Sequence, residues 1–80
     1  MKIKTTLFDT LVANDVPNLD IDNHFSDLYV RVTNKNTEII KTYYQKQGIN
    51  HIPKKFKSNI ENDGYWYDIP FEYIPYWKKK

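Results

Sequence analysis

Three side chains in this 80-residue chain lie close enough together to suggest chemistry: His24, Ser26 and Asp27, within four residues. A nucleophilic triad, however, is defined by spatial roles and usually gathers residues distant in sequence. Ser26 and Asp27 are better read as capping a turn into a strand, since both side chains readily bond nearby backbone. A metal site fares no better. Its candidate ligands are His24, Asp27 and His51, with no cysteine and no recognised ligand spacing. Gly48 and Gly64 are the two glycines and stand apart, so there is no phosphate-cradling glycine loop. These residues point away from an enzyme, and no catalytic residue, cofactor or metal is expected.

Aromatic and basic side chains offer binding chemistry instead. Tyr65, Trp66, Tyr67, Phe71, Tyr73, Tyr76 and Trp77 place seven rings in thirteen residues. A domain this small cannot hide all of them on one inner face, and tryptophan and tyrosine are the residues that anchor interfaces. Half or more of these rings should build core. Trp66, Tyr73, Tyr76 and Trp77 are left as candidate contacts for a protein partner. A second set is Tyr29, Arg31 and Lys57, which with Trp66 would stack bases and hold phosphates if they share an open sheet face. Against nucleic acid, Glu61 and Asp68 fall on that same expected face, and no RNP-like or helix-turn-helix signature is present.

The elements that must position these groups follow from periodicity. Ile3, Leu7, Phe8, Leu11 and Val12 recur at helical spacing, so residues 2–14 read as an amphipathic helix closed by Pro17. Residues 15–26 have turn-rich chemistry and read as a loop pinned by Val16, Leu19 and Ile21, or as a short edge strand. Leu28, Val30 and Val32 alternate with Tyr29, Arg31 and Thr33, the pattern of a half-buried strand. Thr33 suits the cap of a second helix with Ile39, Ile40 and Tyr43 inward and Tyr44 as a further candidate, running to about Gln47 before Gly48 stops it. Asp63-Gly64 suits a two-residue hairpin turn. Its register pairs Asn62 with Tyr65 and Phe56 with Phe71, putting Phe56, Ile60, Tyr67, Ile69 and Phe71 inside. Lys57, Asn59, Glu61, Trp66 and Asp68 then fall outside. Pro70 requires the last strand to end near it or to lie at an edge. The expected fold is α+β: a three-stranded antiparallel sheet with two helices on one face, in the order α-β-α-β-β.

Composition bounds the rest. Hydrophobic residues make up 40% and aromatics 16%, enough to attempt a core in one domain spanning 1–80. With no cysteine, no signal-like N-terminus and no apolar run of membrane length, a cytoplasmic protein that does not enter a membrane is expected. The net charge of +2 hides an asymmetry. Residues 1–30 set two lysines against five aspartates, whereas 31–60 carry six lysines and Arg31 against Glu38 alone. Such a basic middle can touch acidic partners or be a solvated face. Lys78–Lys80 read as a disordered basic tail.

DLYVRVT (Asp27–Thr33) and WYDIPFEYIPYW (Trp66–Trp77) carry a resemblance. The chain resembles a group of small uncharacterised proteins from phages and integrated elements. They pair a His-x-Ser-Asp-Leu-Tyr segment, here His24–Tyr29, with a Trp-Tyr-Asp-x-Pro-Phe ending, here Trp66–Phe71. The resemblance covers about the C-terminal two-thirds of the chain. One departure is Asn34, where that pattern tends to place proline after the capping threonine. A mobile-element origin is implied, with no catalytic residues. Its class-level corollary is a stoichiometric binder of a host protein, such as a defence nuclease. The expectation is therefore a non-enzymatic interaction domain, with nucleic acid as the alternative partner and the oligomeric state open.

Overall fold

The computed structural model describes residues 5–24 and 26–74, with backbone alone for His24 and Tyr73. Each helix starts at a threonine whose hydroxyl accepts an amide three residues on: Thr6 from Asp9 at 3.0 Å, Thr33 from Asn36 at 2.9 Å. Such caps satisfy first-turn donors and contribute about 1 kcal/mol each. Helix α1 runs Leu7–Ala13 and α2 runs Asn34–Gln47. The first helix thus begins later than expected, and residues 2–4 lie outside the described residues. α2 ends as its sequence predicts. Gly48 takes φ +70°, and the Ile49 N–H turns back to the Tyr44 carbonyl at 2.9 Å.

Among the described residues four strands, β1 (Ile21–His24), β2 (Asp27–Arg31), β3 (Lys54–Lys57) and β4 (Tyr65–Pro70), form one antiparallel sheet in the order β1-β2-β4-β3. The fold is α+β, but the three-stranded expectation is corrected: the order is α-β-β-α-β-β. β1 joins because Ile21 sits opposite Val30 and widens the inner face. It is the short edge strand offered as the alternative to a loop; with one apolar residue in Ile-Asp-Asn-His, its alternation is too faint to decide between the two. Two 3₁₀ turns, Asn18–Asp20 and Phe71–Tyr73, lead into β1 and out of β4. β4 is a central strand that ends at Pro70, where a missing N–H costs the ladder nothing.

The core lies on one side of the sheet. Leu28, Val30, Tyr67 and Ile69 pack there against Leu7 and Leu11 of α1 and Ile40, Tyr43 and Tyr44 of α2. Val16 and Ile74 close the cluster, while Leu19 is exposed. Two polar bonds fix the helices: Tyr43 Oη donates to the Thr5 carbonyl, and Thr37 Oγ1 meets Tyr67 Oη, both at 2.7 Å.

The hairpin differs from the expectation in a way that reorders the opposite face. Lys57, not Asn62, pairs with Tyr65, and Phe56 pairs with Trp66 rather than Phe71. An odd displacement turns a strand over, so Phe56 moves to the open face and Lys57 leaves it. Residues 58–64 form a longer loop, closed by Ser58 N–H to the Gly64 carbonyl at 2.9 Å. Inside it, Asp63 N–H bonds the Ile60 carbonyl at 3.1 Å around Asn62, whose φ is +65°. The positive φ values thus fall on Asn62 and Gly64, not on Asp63. Ile60, expected inside, is 69% exposed.

Candidate functional site

The open face is organised around Arg31. Its Nε donates to Asp20 Oδ1 at 3.0 Å and its Nη1 to the Asp63 carbonyl, while Nη2 lies 3.2 Å from Asp63 Oδ1. The guanidinium also lies 4.6 Å from the centroid of the Trp66 ring. Trp66 Nε1 donates to Asp63 Oδ2 at 2.9 Å. Asn36, almost fully buried, ties this cluster to α2 by donating to the Arg31 carbonyl at 3.0 Å and to Asp20 Oδ2 at 3.4 Å. Hydrogen bonds from Ser58 and then Trp66 hold the Asp63 carboxyl below its usual range; burial opposes them, and Arg31 adds a weaker pull in the same direction as the hydrogen bonds. This cluster explains the hairpin. Asp63 is drawn to Arg31 and Trp66, so it does not occupy the tight turn that its Asp-Gly pair suggests.

Beside the cluster lies an aromatic hollow. Tyr29 and Phe56 meet edge to face, with ring centroids 4.9 Å apart. Together with Trp66 and the loop residues Ser58–Ile60 they bound a concavity of about 380 Å³, into whose wall Asp22 and Asp63 also enter. β1 supplies Asp22 because it pairs opposite Tyr29, so both side chains project to the same side.

The electrostatics of this face are acidic. Burial, and then Asp68, Asp27 and Asp22 in that order, push the Tyr29 phenol above its ordinary 10. Asp68 sits opposite Tyr29 on β4 and meets Asp27. Its Oδ1 is buried, and no donor reaches it among the described residues. A proton on Asp68 turns the contact between two acceptors into a hydrogen bond. That bond, burial and the charge of Asp27 push the Asp68 carboxyl up to about 6, against an opposing pull from Lys54.

Tyr29, Arg31 and Trp66 thus stand on the open face, with Arg31 committed to Asp20 and Asp63. Lys57 projects to the helix side of β3. The Tyr73 side chain, Tyr76, Trp77 and Lys78–Lys80 lie outside the described residues. Phe56 and Asp22 join the site unannounced, because the first requires the observed register and the second requires β1. A second concavity, of about 390 Å³, opens on the helix side between α2 and β3. Ile40, Ile49 and Ile52 line it together with Lys41 and Lys55. Among the described residues no group of three or more histidine or carboxylate side chains could hold a metal, and no helix is long and apolar enough to cross a membrane. Comparisons with protein-family models, curated proteins and solved structures give no match.

Proposed function

We propose that this chain is a non-enzymatic, cytoplasmic interaction domain that binds a host protein through the open face of its sheet. The resemblance to mobile-element proteins supplies the host context. The observation that carries the reading is the ring-lined hollow of Tyr29, Phe56 and Trp66, on the sheet face opposite both helices. Aromatic side chains with a polar end, set in a depression and framed by charge, are the usual anchors of protein interfaces. The carboxylates of Asp22, Asp27 and Asp68 repel phosphate, so the face favours protein over nucleic acid.

The test is affinity capture from host lysate with and without nuclease, using the native chain and Phe56→Leu. A stoichiometric protein retained after nuclease treatment, and lost with Phe56→Leu at an unchanged thermal midpoint, is the expected result. Retention that depends on nucleic acid, or that is indifferent to Phe56→Leu, contradicts the reading.

A further inference from the structure

Building on the open face as a protein contact, we propose that the hollow between Tyr29, Phe56 and Trp66 seats a cationic side chain, an arginine guanidinium or lysine ammonium from a basic segment of the partner. Ring faces attract cations through their quadrupole, most strongly where water is excluded. The chain already uses this attraction internally, since the Arg31 guanidinium lies 4.6 Å from the Trp66 centroid. The hollow adds a second wall of rings, Tyr29 and Phe56, which meet edge to face.

The surrounding charge selects the sign of the ligand. Asp63 is neutralised by Arg31. Asp22, which is exposed and makes no ion pair among the described residues, leaves a carboxylate in the wall of the hollow. Asp27 and Asp68 extend the acidic field along β2 and β4, with Lys54 the opposing cation near Asp68. Rings beside unneutralised carboxylates suit a cation and reject a phosphate or carboxylate. Two cationic side chains spaced along an extended segment would engage the rings and the Asp27–Asp68 pair together.

The experiment titrates the isotope-labelled full chain with a capped Gly-Arg-Gly-Arg-Gly peptide, its Glu counterpart and single-stranded oligothymidine. The proposal expects saturable shifts with the arginine peptide alone, centred on Asp22, Tyr29, Phe56 and the Trp66 indole and weakening as salt rises. Asp22→Asn and Phe56→Leu should each weaken binding by about threefold or more, the scale of one ionic or cation–π contact, with thermal midpoints unchanged. Absence of saturable shifts, equal binding of the Glu peptide or oligonucleotide, or indifference to both substitutions overturns it. So does the appearance of the same shifts on deleting Lys78–Lys80, which would make the chain's own tail the occupant. Competition separates this proposal from the reading beneath it. A captured protein that needs Phe56 but resists the arginine peptide refutes the cation and leaves the interface standing. A captured protein indifferent to the open face refutes both.

Discussion

Replacing Asp68 with asparagine should stabilise the domain at neutral pH. In the native fold Asp68 lies against Asp27 with a buried oxygen that no donor among the described residues reaches, and its carboxyl is pushed up to about 6. The folded state therefore holds a proton that the unfolded chain releases near 3.8. Stability from this group is full below that value and is lost as pH rises through about 6. The whole displacement corresponds to about 3 kcal/mol, and solvent screening at this partly exposed pair reduces it to about 1 kcal/mol. An asparagine removes the repulsion and can donate to Asp27 at any pH. For a domain of this size the gain corresponds to about 4–8 °C in thermal midpoint. Thermal unfolding of both chains at pH 7.5 and pH 4 checks it: the advantage should be present at the higher pH and mostly gone at the lower. No advantage at pH 7.5, or an equal advantage at both, would refute the reasoning.

Arg31→Lys should destabilise by about 1–2 kcal/mol in denaturant titration, because a lysine cannot bond Asp20 and Asp63 together and stack on Trp66. Gly48→Ala should cost about 1 kcal/mol from its positive φ alone, since an added Cβ meets nothing within 4 Å. Ile60→Ser should stay within about 0.5 kcal/mol of native, whereas Ile69→Ala should lose about 2–5 kcal/mol. Equal losses at those two positions would favour the tight-turn register over the one described.

Local chemistry was enough where an element carries its own signals. Thr33 and Gly48 bound α2, and the alternation of Leu28, Tyr29, Val30 and Arg31 defines β2 and its two faces. From that alternation alone, Tyr29 and Arg31 fall on the open side, where the structure has them. The hairpin was not legible, because Asp63 answers to Arg31, a residue 32 positions away, rather than to its neighbour Gly64. A local turn preference of this size is overridden by charged hydrogen bonds. The register changes with it, and Phe56 turns from core to site. β1 stayed only an alternative, a short edge strand within 15–26, because its pairing with β2 is set across the sheet by a single inward isoleucine. Without β1 there is no Asp22 beside Tyr29, and the open face looks basic and aromatic instead of acidic and aromatic.

The most direct test of the open-face interface is an amide-shift footprint of the isotope-labelled chain bound to its captured protein partner. The account predicts perturbations concentrated at Asp22, in 27–31, at Phe56 and in 66–68. Perturbations confined to the helix-side hollow, from Thr37 to Ile52, with the open face unmoved, would contradict it.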